Sequence, residues 1–375
     1  MKIIGIEVFH IRVPLRKPFG LSKVLGTLTY TQPIIIKVFT DEGIIGLGEA
    51  DPMVPFTEEL PQSIKECLRH YLAPAVLGAD PTNIAAVNEK MDKILKLNEM
   101  AKGAIDMACH DILGKAKGLP VYQLLGGCLR KEIPLAWGIG AGTPEENVDE
   151  VLEKVTAGRK TFMIKTAGLT LEEDIARVRA VREAFPDIHL LADANQGWDR
   201  SSALRFARAV AGCHIDFLEQ PVPYWDIEGL AMIRKSTSIP VSVDETLCTI
   251  HDAVRVLREG AADVFSVKAS KNGGIYKAKQ ILDLAKAFSI KCWLNSMIEE
   301  GITQAALLHL GVSAENILDL GHALFSPTRL EDDVTTYSEQ IKGSVVRIND
   351  KPGLGIEIRE DVLRKYTIDV FQIKA

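Results

Sequence analysis

The chain has no pair of cysteines at a spacing that suits a metal or a disulfide framework. Its six cysteines (Cys67, Cys109, Cys128, Cys213, Cys248 and Cys292) are scattered and include no CxxC. That pattern argues against a zinc site and suits reduced thiols in a cytoplasmic protein. Positive charge is not in excess either: the formal net charge is −6, so the electrostatic footprint of a nucleic-acid binder is missing. No apolar run approaches membrane-spanning length, and the opening MKIIGIEVFHIRVPLRKPF alternates as a strand does rather than as a signal peptide. Low-complexity segments and long charge runs are absent, and no GxGxxG follows the early strand-like segments, which disfavours an open dinucleotide-binding sheet. What is present is a chain of 375 residues, 47% hydrophobic and 25% charged. Such a chain is long enough for two domains, or for one large barrel with a cap.

Along the chain the rhythm changes once. EVFHIRV alternates, and PIIIKVFT, DEG and IIGLGEA read as strand, tight turn and strand. Between them lies PLRKPFGLSKVLGTLTY, a Gly/Pro/Ser/Thr-rich connection too long for a simple turn, which suggests a functional loop. From about Thr57 to Lys117 the spacing is helical and ends in the alanine-rich GAIDMACHDILGKAKG. After residue 131 short apolar runs recur, each followed by a loop and a helical stretch: IPLAWGIG, TFMIKTA, IHLLADA, HIDFLEQ, IPVSVDE, DVFSVKAS, IKCWLNS and NILDLGH. Eight such units predict an α/β fold, a (β/α)8-type barrel (a modified TIM barrel) or a seven-unit version of it. The tail, including VVRINDKPGLGIEI, returns to β character and is expected to pack back on the N-terminal segment. The expected division is an α+β cap over 1–130, a catalytic barrel over 131–325, and a C-terminal segment over 326–375 that rejoins the cap.

The ends of the apolar runs carry the chemistry. Lys165, Asp193, Glu219, Asp244 and Lys268 each end one of five consecutive runs, 24 to 28 residues apart. In a barrel, such C-terminal strand ends converge on one mouth. A carboxylate at one strand end is ordinarily a helix cap, and a single lysine there is ordinarily solvated; five in register outweigh that reading. Three converging carboxylates would repel unless a cation sat among them, and hard oxygen ligands favour Mg²⁺, with Mn²⁺ as a substitute. Two lysines flank the acids. A metal that holds a substrate carboxylate, with a base on either face, suits removal of the proton α to that carboxylate, with the metal stabilising the enediolate. Such a base needs a pKa brought from about 10.4 to roughly 7–8, which burial and a nearby cation can do.

With these residues in view, the chain resembles the enolase superfamily, and within it the muconate-lactonizing-enzyme subgroup. GIIGLGEA, AIDMACHDILGKAKGLPVYQLLGG, DANQGW, LEQP, VDET and VKASKNGG carry the resemblance over nearly the whole length. It implies Asp193, Glu219 and Asp244 as metal ligands. Lys165 stands as the second lysine of the family's KxK motif, and Lys268 as the opposing lysine. Asn195 and Glu245 fall at positions that support the ligands and the sixth-strand lysine. The mandelate-racemase subgroup instead pairs a seventh-strand histidine with a sixth-strand aspartate; here that strand reads KCWLNSM and has none. His322 stands at the end of the eighth run, as a substrate contact or as loop. Two departures from the subgroup stand out. Met163 replaces the first lysine of KxK, removing a positive charge from beside the base. The DxD that dipeptide epimerases use to hold an ammonium is reduced to Asp319-Leu320-Gly321, which leaves Asp319 as the acid able to meet a cationic nitrogen.

The fate of the enediolate sets the reaction. Protonation from the other face gives racemisation or epimerisation, and two facing lysines are the minimum for it. The expectation is therefore an isomerase: a Mg²⁺-dependent racemase or epimerase of an amino-acid derivative. The alternatives are a muconate-type cycloisomerase or an acid dehydratase, a lyase; a non-catalytic barrel ranks last. Specificity is expected from Phe19, Leu21 and Tyr30 in the cap connection, and from Asn295, Met297, Asp319 and His322 around the barrel ends. A cap loop closing over the mouth would exclude water. The partner is a small-molecule carboxylate, with neither nucleic acid nor membrane involved, and the resemblance suggests a homo-oligomer.

Overall fold

The structure, a computed structural model, describes residues 1–374. Five strands open the chain: β1 (Ile3–Ile11), β2 (Val13–Gly20), β3 (Thr27–Thr31), β4 (Ile34–Thr40) and β5 (Ile45–Ala50). The connection expected to be a loop is thus mostly a hairpin, with β2 paired antiparallel to β3. Its β-branched and aromatic residues take up the ladder, and only residues 21–26 turn. Helices follow over Pro61–Cys67, Ile84–Ile94 and Glu99–Lys117.

The barrel contributes β6 (Glu132–Pro134), β7 (Ala136–Ile139), β8 (Thr161–Lys165), β9 (His189–Asp193), β10 (Phe217–Glu219), β11 (Val241–Val243), β12 (Val264–Val267) and β13 (Lys291–Leu294). β7 to β13 form one seven-stranded sheet, each strand beside its successor in sequence and the pairs parallel. Near-continuous apolar runs such as TFMI and VFSV fit strands covered on both faces. Helices alternate with the strands, and several open on a reciprocal cap, as Thr143 with Glu146, Thr170 with Glu173 and Thr249 with Asp252.

The eighth run, NILDLGH, does not form a strand. It closes the ring through two parallel bridges, Cys292 to Ile317 and Leu135 to His322. The reason lies in His322: its Nδ1 accepts the Leu294 amide, a donor that a regular ladder would give to a main-chain carbonyl.

The tail supplies β14 (Ile341–Lys342), β15 (Val345–Arg347) and β16 (Thr367–Lys374). β16 pairs with β1, completing a cap sheet of order β16-β1-β4-β5. Within VVRINDKPGLGIEI, β15 pairs with β6 at the base of the barrel, while Gly353 and Leu354 bond Leu119, Val121 and Asp111 of the cap. One face of the cap sheet packs Ile6, Val8, Ile36 and Val38 against helical Leu68, Leu72 and Ile105 in a core of its own. All six cysteines are free. Among the described residues, no helix is long and apolar enough to cross a membrane.

Candidate active site

Register brings the five ionisable strand ends together. Lys165 lies opposite Asp193, and Asp193 opposite Glu219, in the β8–β9–β10 ladder. Asp244 and Lys268 each stand one residue beyond β11 and β12. The backbone leaves the sheet at once: Ala167, Asn195, Gln196 and Gln220 all adopt positive φ. These uncommon conformations turn the chain away and leave the preceding side chains at the mouth.

Asp193, Glu219 and Asp244 are fully buried, and Lys268 nearly so. Lys165 Nζ donates to Asp193 Oδ2. Lys268 Nζ donates to Asp244 Oδ2 at 2.6 Å. The two lysines therefore stand at opposite ends of the acid row, with Glu219 between. Asn295 Nδ2 donates to Glu219 Oε1 at 3.0 Å and to Ser266 Oγ at 2.8 Å. The other oxygen, Glu219 Oε2, is buried with no partner among the described residues, as are Asn195 Oδ1 and Glu245 Oε2. Burial, with the charges of Asp193 and Asp244, holds the Glu219 carboxyl well above the usual carboxylate range. The same causes push Glu245 up to about 8. Burial alone would lower the Lys268 pKa, but the Asp244 and Glu219 carboxylates outweigh it and raise it.

Could these residues take a cation? An unpartnered buried carboxylate oxygen beside two more carboxylates is the donor set that a hard divalent ion requires. Among the described residues no three acidic, His or Cys side chains are gathered tightly enough to count as a closed metal cluster; Asp193 and Asp244 instead carry lysine ion pairs. The residues fit a cation that displaces those ammonium groups.

Three neighbours escaped the sequence reading. Lys271, also buried, donates to Asp244 Oδ1 at 2.7 Å and to the Asp244 carbonyl, so both oxygens of that acid are held. Phe56, in the cap segment after β5, lies over the Lys268 ammonium at 4.2 Å from the ring centre. Arg329 shares a cavity of about 60 Å³ with Phe19, Met163, Lys165 and Asn295. VKASKNGG held the signal for Lys271; the other two are placed by loop paths that no spacing reveals.

The expected specificity residues divide. Phe19 and Asn295 line the cavity beside Lys165. Leu21 is buried, with its carbonyl over Gly168 just beyond β8. Met297 is buried against the cap core and lines, with the exposed Tyr30, a larger cleft of about 430 Å³ between the hairpin and residues 51–54. None of the five ionisable strand ends lines that cleft, and Ile298 borders both spaces. Neither Asp319 nor His322 lines either space. Asp319 is exposed and acts on Arg130, whose guanidinium serves the Gly311 and Ala314 carbonyls. It sits low on the barrel wall, because Gly321 already bonds Thr161, the first residue of β8. His322 is fully buried, its ring nitrogens meeting the Leu294 amide and the Leu318 carbonyl, and burial drops its pKa to about 3. It is a neutral structural residue that closes the barrel.

Residues 3–126 match the family described as "Mandelate racemase / muconate lactonizing enzyme, N-terminal domain", and residues 146–362 match "Enolase C-terminal domain-like". The chain belongs to the mandelate racemase/muconate lactonizing enzyme family of the enolase superfamily. Within this family it is 37% identical over 370 residues to the N-succinyl-L-Arg/Lys racemase of Bacillus cereus (strain ATCC 14579), covering 98% of each chain. The crystal structure of that racemase superimposes with a TM-score of 0.96 over all of both chains. Muconate cycloisomerase 1 of Rhodococcus opacus is 31% identical over 98% of this chain and 99% of its own. A dipeptide epimerase of Enterococcus faecalis V583, solved with Mg and the dipeptide L-Leu-L-Tyr, aligns at 33% identity. That match covers 95% of this chain and all of the other, with a TM-score of 0.88. The subgroup read from the motifs is therefore the right one.

Proposed function

We propose that this protein is a divalent-metal-dependent racemase of N-acylated amino acids, of which N-succinyl amino acids are the first to test. The carrying observation is the pair of lysines, Lys165 and Lys268, bonded to opposite ends of one buried carboxylate row. Asp193, Glu219 and Asp244 would hold Mg²⁺, or Mn²⁺ in its place, and with it the substrate's α-carboxylate. Bound there, the ion offsets the negative charge the carboxylate gains as its α proton leaves. Lys165 takes that proton on one face of the α-carbon, and Lys268 delivers one to the other face; in the reverse direction the roles exchange. With Asp244 engaged elsewhere, Lys268 loses the anion that holds its proton. Phe56 covers Lys268 and keeps water from its ammonium.

The N-succinyl-L-Arg/Lys racemase of Bacillus cereus supports the choice of substrate class, and the exposed position of Asp319 weighs against an ammonium-ended dipeptide. The test is incubation of N-succinyl-L-lysine and N-succinyl-L-arginine with Mg²⁺ in D₂O. Loss of the α-proton signal with growth of the D enantiomer is expected. Muconate-type cycloisomerisation uses the same site, so muconates belong in the same screen. Clean formation of a lactone, alkene or keto acid, with no exchange on N-acyl amino acids, would replace the racemase by a cycloisomerase or dehydratase.

A further inference from the structure

The cavity beside Lys165 has a cation with no work in the chemistry above. Arg329 enters it from residues 326–329, the short helical turn after the eighth segment. Its guanidinium lies 4.1 Å from the Trp137 ring centre, 4.3 Å from Phe19 and 5.5 Å from Phe325. Nη2 donates to the Gly138 carbonyl at 2.6 Å. Among the described residues, Nε and Nη1 have no hydrogen-bond acceptor, and no carboxylate forms an ion pair with this arginine. The acid that acts on it from a distance, Glu150, is taken up by the Trp137 indole N–H at 2.8 Å. Burial lowers the Arg329 pKa to about 10, and nearby Arg159 works in the same direction. At neutral pH it still carries its charge.

Aromatic rings stabilise a guanidinium by roughly 0.5–2 kcal/mol, but they give it no acceptor for its remaining N–H groups. An arginine kept charged, positioned and short of acceptors is arranged for an anion that arrives from outside. Because the cavity also contains Lys165 and Asn295, that anion belongs to the molecule on which Lys165 acts.

We infer that Arg329 reads a second, distal carboxylate of the substrate, the terminal carboxylate of a dicarboxylic N-acyl group. This rests on the racemase reading above and deepens it: the α-carboxylate goes to the acid row and the acyl carboxylate to Arg329. The bland alternative is that Arg329 only closes the seam beside β7 by serving Gly138. Arg329→Gln keeps an N–H donor for Gly138 and loses the charge, so the two roles separate.

The test is equilibrium binding by calorimetry, in the presence of Mg²⁺, of N-succinylglycine and of its neutral terminal amide. Wild type is expected to bind the acid at least about tenfold more tightly than the amide. In both Arg329→Gln and Arg329→Met that preference vanishes while the amide still binds as it does to wild type. No preference in wild type, or a preference retained in Arg329→Gln, overturns the inference. Failure of the racemase reading looks different: the acid is preferred, yet chiral N-succinyl amino acids show no α-proton exchange.

Discussion

Asp193 and Asp244 each give a lysine an oxygen that a cation would also seek, so ligand and base are coupled residue by residue. Lys165→Ala and Lys268→Ala each remove a proton carrier but no metal donor. Each is expected to reduce α-proton exchange by at least about a hundredfold, with Mn²⁺ affinity measured by calorimetry equal to wild type or higher. Full activity in both variants would dismiss the two-lysine mechanism. Glu219 and Glu245 make a second expectation. Burial and neighbouring anions favour the protonated form of both, so metal uptake must release protons. Affinity should rise with pH, and calorimetry in buffers of different ionisation enthalpy should register the released protons. A pH-independent affinity without proton release would remove Glu219 from the ligand set.

At the scale of elements, the barrel strands were legible because each is a short apolar run, five of them ending in one ionisable residue, and burial on both faces imposes the apolar run. The eighth segment was not, because a histidine ring replaces a ladder carbonyl there. Arg329 and Phe56 were hidden for a related reason: their positions depend on where turns from opposite ends of the chain meet. The hairpin β2–β3, for example, is tied to the tail by Arg16 bonds to the Leu330 and Glu331 carbonyls. GIIGLGEA was visible as a motif, and the structure supplies its physical cause. β5 lies so close to the helix Glu99–Lys117 that a Cβ on Gly48 would stand 1.9 Å from the Ala104 carbonyl oxygen, and one on Gly46 2.2 Å from that of Ala108. Glycine on the strand and alanine on the helix are what permit the approach. Gly48→Ala should therefore cost about 1–3 kcal/mol through overpacking, read as a loss of several degrees in melting temperature. An unchanged melting temperature would mean that the cap repacks freely.

The whole molecule joins cap to barrel through buried acids. Glu49 of β5 accepts the amides of Glu300 and Thr303, at 2.7 and 2.8 Å, and so caps the helix Gly301–Ser313 from another part of the chain. Asp51 accepts the Thr303 hydroxyl at 2.7 Å, while Asp51 Oδ1 and Glu300 Oε1 have no partner among the described residues. Burial pushes Glu49 and Glu299 up to about 7 and holds Asp51 and Glu300 well above the usual carboxylate range. Neighbouring acids add to the effect, Glu49 on Asp51 and Asp51 on Glu299. A carboxyl whose pKa is higher folded than unfolded binds the extra proton in the native state. Its contribution is full below the unfolded pKa and is lost as pH rises through the folded one, at about 1.4 kcal/mol per pH unit for each group. The junction should therefore be stronger at about pH 5 than at about pH 8, the reverse of a protein held by ionised surface pairs. Asp51→Asn isolates one member, since the amide mimics the protonated acid and retains an oxygen for Thr303. Denaturant unfolding at three pH values is expected to show wild type losing stability toward pH 8 and Asp51→Asn losing measurably less, the two converging at low pH. Parallel profiles would mean that Asp51 is already ionised in the folded protein, and that another cation or solvent reaches the junction.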